Sequence, residues 1–252
     1  MDESNWRIVM LGKTAAGKSS VANTIFGEQL FKTNTTADSE TSKCQAETKL
    51  VSGRSITLID TDTSEEELKT NFIRCITDFA PGPHAFLIVF KVEKSTEHEE
   101  AVIAKINQYF SEEVFKYATV LFTHGDQLDE GQTVEEYFHQ NQLASDLKKC
   151  GGRCHVIDNK YWKNNQQEEY RSNQFQVTEL LKTIDEIIAS NEGSCYTDEM
   201  LQAVEEETQQ EEEELIRQSS GTLTREEVRK QAKDRVSNNL MIKLASFAAV
   251  YC

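Results

Sequence analysis

The feature that most constrains this chain is a glycine-rich loop near its start, set between an apolar run and a stretch with helical spacing. The loop reads Gly12-Lys13-Thr14-Ala15-Ala16-Gly17-Lys18-Ser19, which is the spacing GxxxxGKS, and it follows the apolar residues 8–11. Strand, loop and helix in this order allow the loop amides to converge on phosphate oxygens at the positive end of the helix. Lys18 is then placed to neutralise the β- and γ-phosphates, and the Ser19 hydroxyl to ligate Mg²⁺. The sequence therefore predicts that the chain binds a nucleotide.

Composition limits the other classes of function. The 252 residues allow one large domain, or one domain with an extension, and the formal net charge of −16 argues against binding nucleic acid or anionic lipid. Residues 1–7 have no basic and apolar signal pattern, so we expect no secretory signal. The six cysteines form no CxxC pair and are interpreted as reduced thiols of a cytoplasmic protein. Cys150, Cys154 and His155 could instead belong to a metal site, but a second ligand pair is missing.

Short apolar runs alternate with helical stretches along the first 190 residues. Such nearly continuous apolar runs are typical of parallel strands buried on both faces. The pattern predicts an α/β fold with an open, mostly parallel sheet, helices on both faces and ligand at the carboxyl ends of the strands. The predicted strands are residues 8–11, 55–59, 85–90, 119–122 and 155–157, and the predicted helices are residues 19–26, 65–79, 98–110, 134–149 and 177–190.

The character of the chain changes near residue 196. Residues 196–214 hold nine acidic side chains and no Lys or Arg, which is typical of either a solvated helix face or a frayed linker. Val228, Ala232, Val236 and Leu240 are spaced four apart and predict one face of a helix. The apolar residues 240–252 are too few to span a bilayer, and could either pack on a protein surface, which we favour, or lie in a membrane interface.

A second motif concerns the base of the nucleotide. The predicted strand 119–122 runs into Thr123-His124-Gly125-Asp126, and the carboxylate of Asp126 can accept hydrogen bonds from N1 and the exocyclic amine of guanine. Adenine lacks this pair of donors, so such an aspartate discriminates between the two purines. The later residues Asp158-Asn159-Lys160 form a second loop at the same predicted edge. An aspartate after a strand could also be only a helix cap, but the order of the motifs favours guanine.

Taken with the phosphate loop, several segments make the chain similar to the immunity-associated GTPases (the GIMAP family). These segments are Thr41-Ser42-Lys43-Cys44-Gln45, Pro81-Gly82-Pro83-His84-Ala85-Phe86-Leu87, Leu121 to Leu128, Cys150-Gly151-Gly152-Arg153 and Glu192-Gly193-Ser194-Cys195-Tyr196. The resemblance covers roughly residues 5–200 and implies a P-loop GTPase fold with three α/β/α layers. It implies a guanine-nucleotide-binding domain over residues 1–195 and a helical extension over residues 196–252.

The resemblance also implies ligands, partners and roles for single residues. Its ligands are GTP or GDP with Mg²⁺, and its partner is a second copy that assembles with it through the G domain when nucleotide is bound. The extension could hold the cytoplasmic protein at the surface of an intracellular membrane. The implied nucleotide-binding residues are Gly12, Lys13, Thr14, Ala15, Ala16, Gly17, Lys18, Ser19, Ser20, Thr35 (with Thr36 in the same loop), Thr41, His124, Gly125, Asp126 and Asn159, and the implied metal ligands are Ser19, Thr41 and Asp60.

The chain departs from the family pattern at three places. Ala15 replaces a glycine, which is tolerable if φ is negative and costly if φ is positive. After Asp60-Thr61 the Pro-Gly of the second switch is missing, and with it the glycine amide that would bind the γ-phosphate. Lys94 stands where some members carry an arginine finger, and lysine lacks the planar fork of a guanidinium.

Three functions therefore remain open from the sequence. The chain could be a slow GTPase that hydrolyses GTP when two G domains meet, or an assembly module that binds nucleotide with negligible turnover. It could also be a helical scaffold with a vestigial G domain, although the intact Lys18 and Ser19 argue against that. The altered switch and Lys94 favour the second function over the first.

Overall fold

The computed structural model describes residues 5–13, 15–33, 45–61, 81–93, 100, 102–104, 106–107, 110–140, 148–162, 169–197, 199–219 and 223–250. These residues belong to two compact units, which are described separately below. The first unit comprises Met1–Ser64 and Pro83–Tyr196 and contains the sheet, and the second comprises Glu65–Gly82 and Thr197–Cys252 and contains the two C-terminal helices.

The first unit is built on a six-stranded sheet with the spatial order β2-β3-β1-β4-β5-β6. β2 pairs antiparallel with β3, and every other pair of neighbouring strands is parallel. This confirms the predicted α/β class with a mostly parallel sheet. The strands are β1 (Trp6–Leu11), β2 (Gln45–Val51), β3 (Arg54–Asp60), β4 (Ala85–Lys91), β5 (Ala118–Thr123) and β6 (Cys154–Val156).

Burial explains why the central strands are so apolar. Every residue of β5, and every residue of β4 except Lys91, is buried, because helices and loops cover both faces of a parallel sheet. A continuous cluster from Ile8 and Met10 through Leu58 and Leu87 to Ile184 forms the core under the phosphate loop. The predicted strands lie within one residue of the observed ones, except that β1 begins two residues earlier.

One strand was missed by the sequence interpretation. β2 is mostly exposed and polar, so it lacks the continuous apolar run by which the other strands were found. Its only strong signal is the dipeptide Ser52-Gly53, whose φ values of 49° and 79° make a two-residue turn of the kind that closes β-hairpins.

The described helices of this unit are α1 (Lys18–Phe26), α2 (Val134–Gln140) and α3 (Asn173–Ser190). The predicted boundary of α1 is right to one residue, whereas α3 begins four residues before the predicted start. The prediction of one helix over residues 134–149 is wrong at its end, because residues 148–150 form a separate 3₁₀ turn. Helical residues also occur at positions 100, 102–104 and 106–107. The predicted helix at residues 65–79 lies outside the described residues.

An aromatic cluster fixes the end of the first unit. The Tyr196 amide donates to the Pro83 carbonyl at 2.8 Å, and its hydroxyl accepts a bond from the Ser111 amide at 3.0 Å. The Tyr196 ring packs edge-on against Phe86, Phe110 and Tyr117. A residue that the sequence offered only as part of a family motif is therefore a buried anchor.

The second unit is a helical hairpin of α4 (Glu199–Ser219) and α5 (Arg225–Val250). Leu215, Val228 and Ala232 form its small apolar core. Arg229 bridges Glu205 and Glu212 at 2.6 and 2.7 Å, so part of the acidic run is neutralised across the hairpin and does not form a frayed linker. Over the described part of the chain, no helix combines the length and the hydropathy that crossing a membrane requires.

Candidate nucleotide-binding site

The phosphate loop connects the end of β1 to the start of α1. Gly12 lies so close to β4 that a Cβ there would collide with the Val89 carbonyl. The Ala16 amide donates to the Lys13 carbonyl at 3.0 Å, which tightens the loop. Gly17 occupies the N-cap of α1 with φ of 92°, a left-handed conformation that glycine adopts without steric cost. The loop thus points the amino end of α1 toward the carboxyl end of the sheet, where an anion is favoured.

Ala15 has a φ of 65°. The sequence left open whether φ of Ala15 is negative or positive, and the positive value is the unfavourable one, because the Cβ of an L-residue crowds the backbone in the left-handed region. Ala15 is exposed, so its Cβ gains no buried contact in return. The phosphate loop therefore contains a local strain that the usual glycine would lack.

The side chain of Lys18 lies inside the loop. Only 5% of the residue is exposed, and its Nζ donates to the Gly12 carbonyl at 3.0 Å and to the Lys13 carbonyl at 3.2 Å. Carbonyl oxygens of the loop thus hold the ammonium at the centre of the cradle. A phosphate oxygen entering the cradle would find a charge that is already in position.

Ser19 and Asp60 bring two oxygen-bearing side chains into contact. The Ser19 hydroxyl donates to Asp60 Oδ2 at 2.5 Å, and Asp60 is buried at the carboxyl end of β3. The neighbouring Thr61 hydroxyl donates to the Met10 carbonyl at 2.6 Å, which fixes the strand end beside β1. A hydroxyl and a carboxylate are hard ligands of the kind that Mg²⁺ prefers, so the residues present fit this ion.

Thr123, which the sequence interpretation treated only as the start of a motif, connects the two halves of the site. Its hydroxyl lies 2.8 Å from the Ala16 carbonyl of the phosphate loop and 3.2 Å from the Phe90 carbonyl of β4. It is fully buried at the end of β5. The phosphate loop and the loop that follows β5 are therefore held in a fixed relation.

The loop after β5 turns sharply to present Asp126. His124 is exposed with φ of 62°, and residues 125–127 form a 3₁₀ turn. The Gly125 amide donates to the Ile157 carbonyl at 3.1 Å. A Cβ on Gly125 would lie 2.5 Å from the ring of Trp162, so the indole packs closely against this glycine. The Asp126 carboxylate accepts a bond from Gln127 Nε2 at 2.6 Å and remains partly exposed.

The second loop is organised by Asp158, which the sequence interpretation gave no role. Its backbone amide and carbonyl are both bonded to the Asn173 side chain, at 3.0 and 2.6 Å. Its carboxylate accepts hydrogen bonds from the amides of Lys160 and Tyr161. Burial raises the pKa of Asp158, but the Tyr161 amide and the other hydrogen bonds outweigh it and the pKa is lowered. The loop is therefore held in shape by an ionised side chain.

Asn159, the predicted last base contact, accepts a hydrogen bond from Thr24 of α1 at 3.0 Å. Its Nδ2 also lies near Gly17, so the side chain bridges this loop and the phosphate loop. The structure thus brings Gly12, Lys13, Ala15, Ala16, Gly17, Lys18, Ser19, Ser20, Asp60, His124, Gly125, Asp126 and Asn159 to the carboxyl edge of one sheet. Thr14, Thr35, Thr36, Thr41 and Lys94 lie outside the described residues.

Cys150 and Cys154, which lie before and at the amino end of β6, are free thiols. Burial raises the pKa of Cys150 and of Cys154 to about 12, so both thiols stay protonated at neutral pH. In the ranges given above, no group of three or more His, Cys, Asp or Glu side chains gathers in a way that could hold a metal ion.

Comparison with known proteins bears on the family and the fold. A model of the AIG1 family matches residues 6–215. Immune-associated nucleotide-binding protein 8 of Arabidopsis thaliana is 34% identical over 215 residues, which cover 80% of this chain and 59% of that protein. Immune-associated nucleotide-binding protein 4 of the same plant is 30% identical over 238 residues, 90% of this chain and 71% of the relative. The chain spans about three fifths of the length of the first relatives that it matches.

Solved structures share the architecture at lower identity. A dimerisation-deficient mutant of Toc33 from Arabidopsis thaliana has a TM-score of 0.59 and 20% identity, covering 78% of this chain and 89% of Toc33. Toc33 in complex with GDP and Mg²⁺ has a TM-score of 0.57 and 19% identity, with the same coverage. At these identities the likeness concerns the fold, which is the predicted P-loop GTPase fold.

Proposed function

Because the chain belongs to the AIG1 family, we propose that it is a guanine-nucleotide-binding protein that binds GTP and GDP together with Mg²⁺. The observation that carries the proposal is the hydrogen bond from Thr123 to the Ala16 carbonyl. It connects the phosphate loop around Lys18 to the loop that carries Asp126, so that the groups that would bind the phosphates and the base are held in fixed positions relative to each other. The two Arabidopsis relatives described above are named as nucleotide-binding proteins, which supports the same conclusion.

In this proposal Ser19 and Asp60 hold the Mg²⁺, Lys18 neutralises phosphate charge and Asp126 accepts two hydrogen bonds from guanine. The bound ion would offset charge on the β- and γ-phosphates. His124 lies beside Asp126, at the place where a base would rest. Asn159 contributes a further polar contact, because its loop meets the phosphate loop at Gly17.

The nucleotide serves chiefly as a switch for assembly, and hydrolysis is slow or absent. This part rests on the sequence after Thr61, which lacks the glycine of the second switch, and on Lys94 in place of an arginine. The alternative is a scaffold that no longer responds to nucleotide, but the buried Lys18 and its two carbonyl partners favour a working phosphate loop.

Two G domains pair across the nucleotide face in the triphosphate state. The polar segment 91–100 begins at the carboxyl end of β4 and continues beyond it in the sequence, and in this proposal it supplies the contact surface. The protein acts in the cytoplasm, and the apolar residues 240–252 could bring it to the surface of an intracellular membrane. Sedimentation with GDP and with a GTP analogue tests the pairing: we expect stronger association with the analogue than with GDP, and equal association in the two states would rule the pairing out.

A displacement titration tests the binding of nucleotide. GTP and GDP should displace a fluorescent guanine nucleotide at micromolar concentration or below, and ATP should do so far less well. Lys18→Ala should abolish binding, because it removes a charge-assisted phosphate contact of about 1.5–3 kcal/mol and also disturbs the loop, whose Gly12 and Lys13 carbonyls lose the hydrogen bonds that Lys18 donates. Lys182→Ala, which removes an exposed lysine of α3, is the matched control and should bind normally. Equal displacement by ATP and GTP would show that the guanine assignment is wrong.

Base recognition is tested by Asp126→Asn. An amide cannot accept both donors of guanine, so preference should shift from guanine toward xanthine nucleotides. Asp129→Asn changes another aspartate of the same loop, one that is exposed, and should leave the preference unchanged. If both variants behave alike, Asp126 does not read the base.

A further inference from the structure

The edge of the sheet formed by β2 lies outside the proposed nucleotide function. β2 is the first strand in the spatial order, and none of the strands that the structure describes pairs with its outer side. An edge strand offers unpaired N–H and C=O groups to another strand. Leu50 is 60% exposed on this strand, and Ala46, Glu47 and Thr48 are exposed as well.

The turn between β2 and β3 decides which backbone groups point outward. Its two residues, Ser52 and Gly53, both have positive φ, so the flanking Val51 and Arg54 form the hydrogen-bonded pair that closes the turn. Bonded and non-bonded pairs alternate along an antiparallel ladder. Positions 51, 49, 47 and 45 therefore bond to β3, while Ala46, Thr48 and Leu50 direct their N–H and C=O groups to the free edge.

The sequence of β2 is complementary to itself in one antiparallel register. If two copies meet about a two-fold axis at Thr48, then Ala46 faces Leu50 of the other copy and Glu47 faces Lys49 in both directions. The outward groups of Ala46, Thr48 and Leu50 bond to one another in this register. In this register the two Glu47–Lys49 pairs lie on one face of the joined sheet, and the apolar contacts between Ala46 and Leu50 lie on the other face.

Charge excludes the neighbouring registers. An axis at Glu47 would place Glu47 against its own copy, and an axis at Lys49 would do the same for Lys49, and like charges directly opposite are destabilising. Lys49 is held by the Phe26 carbonyl at 2.9 Å and by Glu28 at 2.7 Å, so its ammonium is fixed on the face where the Glu47 carboxylate of the other copy would arrive. Glu47 has no ion-pair partner among the described residues.

We propose that the β2 edge is a second, nucleotide-independent interface through which two copies of this chain join their sheets with Thr48 on the two-fold axis. Strand addition of this kind gains affinity from main-chain hydrogen bonds and specificity from alternate side chains. Because β2 lies at the opposite end of the strand order from the base-reading strands β5 and β6, the interface does not require GTP.

Charge-reversal variants of the full chain test the proposal by sedimentation without added nucleotide. Wild-type protein should form a dimer as its concentration rises. Glu47→Lys brings a new lysine against Lys49 of the other copy and should weaken the association by about tenfold or more, as should Lys49→Glu, since attractive pairs become repulsive. Mixing the two variants restores both attractive pairs, so an equimolar mixture should associate about as well as the wild type.

Amide hydrogen exchange gives an independent signature. The amides of Ala46, Thr48 and Leu50 should gain protection as wild-type concentration rises, and the same amides in Glu47→Lys should not. Nucleotide displacement should be normal in both variants. A failure of the β2 interface can therefore be distinguished from a failure of the nucleotide-binding proposal. A wild-type chain that stays monomeric, or a mixture that associates no better than either variant, would overturn the interface.

Discussion

At the scale of single residues, the phosphate loop contains an alanine whose backbone lies in the left-handed region, with φ of 65°. The left-handed conformation raises the free energy of an L-residue in the folded state by roughly 1–2 kcal/mol. A glycine at the same place loses more chain entropy on folding than alanine does, which costs about 0.5–1 kcal/mol of free energy. The two effects oppose each other, and the exposed Ala15 side chain adds no packing that would decide for alanine.

Ala15→Gly should therefore raise the free energy of unfolding slightly, by about 0.5 kcal/mol, and should not weaken binding of nucleotide. Ala189→Gly, in the last turn of α3, is the matched control, because a helical alanine has no strain to relieve and its loss should destabilise. Denaturant unfolding of both variants measures the difference. Two changes of the same sign would contradict the strain at Ala15.

The contact between Gly125 and Trp162 is a second place where adding one atom, a Cβ on the glycine, should change the shape of the loop that carries Asp126. Gly125→Ala should push the indole from its place, since the new Cβ would lie 2.5 Å from the ring. Asp126 would then move, so we expect a loss of discrimination between GTP and ATP of about tenfold, near 1.4 kcal/mol. Adding Trp162→Leu to Gly125→Ala should restore part of it, because the smaller side chain leaves room. Competition titrations measure the ratio, and an unchanged ratio in Gly125→Ala would refute this role of the contact.

At the scale of the elements, two half-buried histidines hold parts of the sheet unit together in their neutral form. His84 Nδ1 accepts the Arg7 amide of β1 at 3.0 Å, and His155 of β6 lies 2.9 Å from the Thr183 hydroxyl of α3. Burial, helped by the charge of Arg7, lowers the pKa of His84 from 6.5 to about 4. Burial also lowers the pKa of His155 to about 4.

Both histidines should make the unit less stable in mild acid. Between pH 6.5 and about 4 the unfolded chain binds protons at these residues and the folded chain does not, so their contribution is present above pH 6.5 and is lost as the pH falls. His84→Asn and His155→Gln keep an acceptor in place without titrating. Each should reduce the slope of unfolding free energy against pH in this range. A slope equal to that of the wild type in both variants would contradict the assignment.

The elements also show what a sequence can and cannot predict. Buried parallel strands such as β4 and β5 were found because burial on both faces forces an apolar run. β2 was missed because an exposed edge strand is not required to be apolar, and only the Ser52-Gly53 turn marked its hairpin. In the site, Lys18 and Asp126 were found through motif spacing, but Thr123 and Trp162 act through contacts with Ala16 and Gly125, which lie far away in the sequence. No local pattern encodes such contacts.

At the scale of the whole molecule, the chain combines a nucleotide-binding sheet unit with a charged helical hairpin. Part of the negative charge behind its net charge of −16 is neutralised locally, because Arg229 and Arg235 form ion pairs with glutamates within the hairpin. The proposed nucleotide-dependent pairing and the proposed β2 interface would use different surfaces of the sheet unit. Two such interfaces on one chain would allow assembly beyond a dimer, since neither two-fold contact occupies the other.

The rate of hydrolysis is the property that the altered second switch should change most. Switch loops sense the γ-phosphate through an amide that bonds only to the triphosphate, and the chain after Thr61 lacks the glycine that supplies it. One lost donor of this kind typically costs about 2.7–4 kcal/mol in the transition state, and Lys94 stabilises that charge less well than arginine would. We therefore expect GTP turnover at least about a hundredfold slower than in relatives with an intact switch, with little change in affinity.

Restoring the missing parts tests this account directly. Inserting Pro-Gly and the neighbouring family residues after Thr61, together with Lys94→Arg, should raise single-turnover hydrolysis, whereas Lys94→Arg alone should raise it little, because the amide is still absent. Lys91→Arg, a change of the same kind at the end of β4, serves as the control for added guanidinium charge. Asp60 and Ser19 are unchanged in all these chains, so Mg²⁺-dependent affinity should stay constant while the rate changes. If the unmodified chain already hydrolyses GTP at rates on the order of one per second, the missing glycine is not what limits turnover.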